Sequence, residues 1–150
     1  MSIKMIDVSD KPSAERRAVA RGKIYLYPET IEAVKQGTTA KGDVLAAAQI
    51  AAVNAAKSTS NLIPMCHQIP LTLVDVQFDI RREYIGVKCD VRADYKTGVE
   101  MEALVGVNVA LMTIWDMVKY LEKDEHGQYN DTKITDIQVT VKFKEGDQWV

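Results

Sequence analysis

A chain of 150 residues, 47% hydrophobic and 27% charged, has the composition of one globular domain spanning 1–150, not that of a disordered or fibrous protein. Its 19 basic and 21 acidic side chains leave a formal net charge of −2, which argues against a general nucleic-acid or anionic-membrane binder; an anionic ligand would need cations gathered in one place. Two cysteines, Cys66 and Cys89, make neither a disulfide framework nor a zinc site, and with no apolar leader and no run of about 18 apolar residues the chain reads as reduced, soluble and cytoplasmic.

The segment before Lys23 carries arginines without periodicity and reads as an arm. A short strand, Lys23 to Tyr27, ends at Pro28, and Pro28 and Gly37 bracket a short helix. Asp43 is placed to cap a longer helix reaching about Lys57, whose alanines would let a neighbour approach closely. Two segments then alternate with period two: Val74, Val76, Phe78 and Ile80, then Ile85, Val87, Cys89, Val91 and Ala93. Only residues 81–84 separate them, which predicts a hairpin. Thr97-Gly98-Val99-Glu100 reads as a capping box for a helix to about Leu121. A polar stretch, 124–132, leads to a last strand, 137–144, with Ile137, Val139, Val141 and Phe143 on one face. The order contains βαββαβ, so the expected class is α+β, a ferredoxin-like sandwich with an extra N-terminal arm and short helix.

The helix over 98–121 is apolar on two sides. Leu104, Val107, Leu111, Ile114, Val118 and Leu121 form a stripe for the sheet, while Met101, Val105, Val109 and Met112 lie opposite, where a two-layer domain has nothing to cover them. That second face implies a subunit interface. Glu102, Asp116 and Lys119 sit within it. Asp116 and Lys119 are helix neighbours; exposed, they are a weak ion pair, but desolvated at an interface the lysine becomes a general acid/base candidate. Glu102 lies 14 residues from Asp116, roughly 21 Å along the axis, so one chain cannot bring both to the same atom.

Elsewhere, Lys41-Gly42-Asp43 at a helix start suits a phosphate. Met65-Cys66-His67, between Pro64 and Pro70, offers His67 as a ligand hydrogen-bonding group or as a satisfied half-buried histidine. Arg16 and Arg17 either reach an anion or stay solvated; Lys142 lies on the polar face of the last strand; Trp115, Trp149 and Cys89 read as packing residues. No metal site emerges, no cofactor is called for, and a Mg²⁺ requirement is left open.

Several blocks occur in one order: Ile6-Asp7-Val8-Ser9 with Lys11 and Arg16; Lys41-Gly42-Asp43-Val44-Leu45; Ala55-Ala56-Lys57; Leu62-Ile63-Pro64-Met65-Cys66-His67; Thr97-Gly98-Val99-Glu100-Met101-Glu102-Ala103-Leu104; and Thr113-Ile114-Trp115-Asp116-Met117-Val118-Lys119. Together they resemble the MoaC family, the cyclic pyranopterin monophosphate synthases of molybdenum-cofactor biosynthesis. The resemblance implies a ferredoxin-like fold, a homohexamer built as a trimer of dimers with sites at subunit interfaces, and a lyase reaction. In that reaction 3′,8-cyclo-7,8-dihydroguanosine 5′-triphosphate becomes cyclic pyranopterin monophosphate and diphosphate. It further implies catalytic roles for Asp116, Lys119 and Lys41, and substrate contact by Met65, Cys66, His67, Met101 and Glu102. Arg16 and Lys142 join these as expected phosphate ligands. The sequence departs from the family at Gln68, where proline is usual, at Arg17, where glutamate is common, and in its tail, Lys142-Phe143-Lys144-Glu145-Gly146, which replaces a glycine-rich one. The rival reading is a non-catalytic nucleotide-sensing module.

Overall fold

The computed structural model of the chain describes residues 1–147; Trp149 lies outside them. The elements are β1 (Ala14–Tyr25), α1 (Pro28–Gln36), α2 (Val44–Lys57), α3 (Thr59–Leu62), β2 (Leu71–Ile80), β3 (Tyr84–Tyr95), α4 (Glu100–Glu122) and β4 (Lys133–Lys144). The strands form one sheet in the order β2-β3-β1-β4, every neighbouring pair antiparallel. With the helices, this is the βαββαβ ferredoxin-like α+β arrangement.

The period-two pattern decides which face is covered. Ala18, Ala20 and Ile24 of β1 lie opposite Val91, Cys89 and Ile85 of β3, which in turn oppose Val74, Val76 and Ile80 of β2. This face packs on the helices and makes the core, with Ile24, Ile85, Val91, Leu111, Ile114 and Val118 all fully buried. The other face carries Arg17, Arg21, Lys88, Arg92, Asp90 and Asp75 and is held by charge: Arg17 donates two hydrogen bonds to Asp90, at 3.1 and 2.8 Å. So Arg17, expected either to reach an anion or to stay solvated, closes a cross-strand ion pair.

β1 begins nine residues before the expected strand, so the last nine residues of the expected arm are sheet. The reason is α4, which crosses β1 closely. A methyl group on Gly22 would come within 2.7 Å of Leu111 Cδ1 and 3.0 Å of Val107 Cγ1. Small residues were selected by packing there, at the expense of β-propensity. The true arm is residues 1–13.

α1 and α2 end where expected: Gly37 adopts φ 69° after α1, and the Asp43 side chain accepts from Ala46 N at 3.0 Å. The alanines serve the predicted purpose. Ala48, Ala52 and Ala56 are buried against α4, where Gly106 faces Ala52 O and the Ala56 methyl. The short α3 had no sequence signal.

α4 departs from expectation in three ways. Its N-cap, Val99, makes no side-chain capping bond, so the capping box does not form. Leu121 is exposed, and the buried stripe ends instead on Glu122. The second apolar side is partly covered within the chain: Val105 is buried and Val109 half-buried, but Met101 and Met112 remain exposed. α4 is long and apolar enough to cross a membrane, yet half of that stretch is buried inside the domain.

β4 starts at Lys133 and is irregular. Register shifts against β1 separate Val19 from Ala20 and Arg21 from Lys23, and Asp136 has φ 59°. Each bulge shifts the alternation. Val139 pairs with Ala20 on the helix side, whereas beyond the first shift it is Lys142 that pairs with Ala18 on that side and Val141 that pairs with Val19 on the other. Lys142 is thereby turned toward α4.

Candidate active site

The candidate residues gather in two clusters at opposite ends of α4. The first is at its N-terminal end, a cleft of about 370 Å³ lined by Met65, Cys66, His67, Met101 and Glu102, with Lys4, Ile6, Asp7, Val8 and Lys11 of the arm closing one side. The turn after α3 carries the first three residues, and the first turn of α4 carries the next two. Another hollow of about 300 Å³ on the open sheet face, around Arg21, Lys23, Tyr84 and Lys88, contains none of the candidate residues.

Glu102 is 3% exposed, and burial, with Glu100 adding repulsion, raises its carboxyl above the ordinary glutamate value. Burial, then the Glu102 charge, likewise pushes the Cys66 thiol up. A raised thiol holds less of the reactive thiolate at neutral pH; buried Cys89, pushed up to about 12, is core. His67 Nε2 lies 2.6 Å from Ile6 O, and since a carbonyl only accepts, Nε2 carries the hydrogen. The Nδ1 edge is left for a ligand. The arm is tied down once more, by Lys96 Nζ donating to Ser9 O at 3.0 Å, while Ser9 N donates to Asp7 Oδ1 at 2.8 Å within the arm itself.

Lys142 and Arg16 border this cluster without lining the cleft. Lys142 Nζ lies 3.1 Å from Glu100 Oε1, so the glutamate assigned to a capping box instead holds a lysine. Arg16 is buried, its guanidinium donating to Tyr95 O at 3.4 Å and Lys96 O at 3.2 Å. It fastens the chain entering Thr97 and Gly98, so the expected phosphate ligand spends at least two of its donors on backbone.

The second cluster lies near the C-terminal end of α4. Asp116 accepts from Lys41 Nζ at 2.9 Å on Oδ2 and is paired with Lys119 Nζ at 3.0 Å on Oδ1. The two lysines hold the Asp116 carboxyl below the ordinary aspartate value, Lys41 contributing most, and Asp116 in turn raises the Lys119 ammonium. Within one chain these side chains are 42–55% exposed, so the expected desolvation of Lys119 is not present there. An exposed lysine is cationic at neutral pH in any case, and the pairing holds it further in that form. Nearby, Tyr129 packs edge-on against Trp115, with ring centroids 5.0 Å apart, bringing the 124–132 stretch beside the cluster.

Each predicted residue except Arg16 and Lys142 thus belongs to one cluster or the other, and no single chain joins the two. Sequence reasoning did not assign the arm lysines, Lys4 and Lys11, to the cleft, although Lys11 stood in a quoted block. Nor did it find Tyr120, whose hydroxyl accepts from Ala40 N at 2.7 Å. Among the described residues no group of three or more His, Cys, Asp or Glu could hold a metal ion.

Similar proteins match nearly the whole chain in sequence. The family model described as the MoaC family matches residues 5–146. A protein of Pyrococcus furiosus named a probable cyclic pyranopterin monophosphate synthase is 59% identical over 143 residues, 95% of this chain and 92% of the relative. One of Thermococcus kodakarensis with the same name is 60% identical over 142 residues, 95% of this chain and 91% of the relative. A third, from Methanothermobacter thermautotrophicus, is 52% identical over 142 residues, 95% of this chain and 89% of the relative, and is named a probable cyclic pyranopterin monophosphate synthase accessory protein. A family match over almost every described residue, with relatives this similar end to end, has one consequence: the chain belongs to the MoaC family.

Proposed function

We propose that the protein is a cyclic pyranopterin monophosphate synthase, a lyase that rearranges 3′,8-cyclo-7,8-dihydroguanosine 5′-triphosphate and releases diphosphate. The observation that carries this reading is the Lys41–Asp116–Lys119 cluster, assembled from segments 75 residues apart and presenting two ammonium groups around one carboxylate. A net-negative chain that handles a triphosphate needs such a concentration of cations.

In this reading the base portion of the nucleotide occupies the cleft, against Met65, Cys66 and Met101, with His67 Nδ1 and Glu102 positioning its polar edge. Lys41 holds the phosphates, with Lys142 and the arm lysines as further cations at the cleft end. Lys119, kept as an ammonium by Asp116, donates a proton while the purine ring opens. An oxygen of the rearranging sugar then attacks the α-phosphorus and the bond to the β-phosphate breaks. Charge developing on the departing diphosphate is stabilised by the lysines. The two clusters belong to one site if a partner subunit supplies one of them, and the exposed Met101 and Met112 are the surface such a partner would cover. The assembly is a homohexamer, a trimer of dimers, acting in the cytoplasm, and the whole chain works as one domain.

The test is incubation of the purified protein with the cyclised triphosphate, following diphosphate release. Turnover is the expected result. A folded protein that binds this nucleotide without releasing diphosphate would overturn the catalytic reading in favour of a non-catalytic nucleotide-sensing role. The cleft is tested separately by alkylation. Cys66, half-buried with a raised thiol, is expected to react slowly at neutral pH and to be protected by substrate, while Cys89 reacts only on unfolding. Unchanged labelling of Cys66 at saturating substrate would place the base portion elsewhere.

A further inference from the structure

We propose that Tyr120 is a positioning residue for Lys41, its phenol oxygen fixing the loop that delivers the lysine to Asp116. The proposal rests on the reading of the Lys41–Asp116–Lys119 cluster given above.

Asp116, Lys119 and Tyr120 stand at i, i+3 and i+4 of α4 and so share one helix face. That face meets residues 38–42, the connection between α1 and α2. The connection is bounded by two glycines of positive φ, Gly37 at 69° and Gly42 at 106°, and only Thr39 within it is buried. Among the described residues Thr39 hydrogen-bonds only to Gly42, its hydroxyl donating to Gly42 O and its carbonyl accepting from Gly42 N at 3.2 Å. Those bonds shape the turn and do not attach it to α4. Among the described residues, two hydrogen bonds attach it: Ala40 N to the Tyr120 hydroxyl at 2.7 Å, and Lys41 Nζ to Asp116 at 2.9 Å.

The second of these uses a long, half-exposed side chain, and an exposed ion pair gives little net stabilisation when it must also order the chain that carries it. The first fixes backbone one residue away from the lysine. With Ala40 fastened, Lys41 reaches Asp116 by ordering its own side chain only. Tyr120 therefore acts on the site through Lys41 and touches no reacting atom.

The experiment uses the full chain, comparing wild type, Tyr120→Phe, Lys41→Met and the double variant by NMR. It reads the titration of the Asp116 carboxyl and the hydrogen exchange of the Ala40 amide. Tyr120→Phe keeps the ring at a position 47% exposed, so the core is undisturbed. In that variant the Ala40 amide is expected to exchange faster and Asp116 to titrate higher, part of the way toward its value in Lys41→Met. In the double variant Asp116 should titrate as in Lys41→Met alone. Diphosphate release should slow by about 2- to 10-fold in Tyr120→Phe, the range one net hydrogen bond commands. An Asp116 titration unmoved by Tyr120→Phe, or an extra shift in the double variant, overturns the proposal. Wild type that releases no diphosphate overturns the catalytic reading instead, and the NMR arms still decide the role of Tyr120.

Discussion

Replacing Lys119 with alanine is expected to lower the kcat of diphosphate release by about 10²- to 10⁴-fold, the span of general acid–base catalysis, while substrate affinity shifts by about tenfold or less. The asymmetry follows from the cluster. Lys41 and Lys119 flank the same carboxylate, at 2.9 and 3.0 Å, so removing Lys119 leaves Lys41 in place to hold the phosphates. What is lost is the ammonium that Asp116 keeps protonated. The direction of that shift bears on the role: a lysine raised by a neighbouring carboxylate is charged and a poor base at neutral pH, which suits an electrostatic clamp, and it becomes an effective acid only where a desolvated site lowers it again. Lys119→Arg separates the last two. An arginine keeps the charge and hydrogen bonds but does not release its proton, so it should restore binding and leave turnover nearly as low as in alanine. Equal losses of turnover and affinity in Lys119→Ala, or full activity in Lys119→Arg, would sink the proton-transfer role.

Much of this site was readable in the sequence because its pieces are local. Met65-Cys66-His67 and Met101-Glu102 are contiguous, and Asp116 and Lys119 are one helical turn apart, so spacing alone predicts their proximity. The separation of Glu102 from Asp116 followed from helical rise in the same way. The Lys41–Asp116 contact was not readable, since it depends on how the 38–42 connection lies across α4, and no periodicity encodes that. The errors in the fold share a physical origin. At Ala18, Ala20 and Gly22 close helix packing outweighed strand propensity, and the first nine residues of β1 read as part of an arm. In β4 the bulges changed which side chains face α4, sending Lys142 to Glu100 and turning Val141 away from the helices. At Thr97-Gly98-Val99-Glu100 the capping pattern was present, but the Lys142 ammonium gave the glutamate a charged partner in place of a backbone N–H. Each time a tertiary contact displaced a local rule.

The same principle accounts for Glu122, which had no distinguishing sequence signal and supports the second large effect. It ends α4 as one of the most deeply buried side chains, 1% exposed, where the stripe predicted Leu121. Its carboxyl accepts from Thr30 Oγ1 at 2.5 Å, Thr132 Oγ1 at 2.7 Å and Tyr27 N at 3.1 Å. One side chain thus joins the start of α1, the end of α4 and the approach to β4, and satisfies three donors that water cannot reach. Glu122→Ala would strand all three and open a cavity. At about 1–3 kcal/mol for each buried unsatisfied group, partly relieved by entering water, the expected cost is about 3–5 kcal/mol. For a chain of this length that lowers Tm by roughly 10 °C. Glu122→Gln keeps the volume and one carbonyl oxygen, and a threonine hydroxyl can rotate to accept from its amide, so its cost should be about 1 kcal/mol. Urea unfolding of the three proteins measures both. Because Glu122 is buried and bonds to Tyr27, Thr30 and Thr132 rather than to Lys41, Asp116 or Lys119, kcat of the folded Gln variant should stay close to wild type. An alanine variant within about 1 kcal/mol of wild type would mean that water replaces the carboxyl and that α1 and β4 are fastened by other contacts.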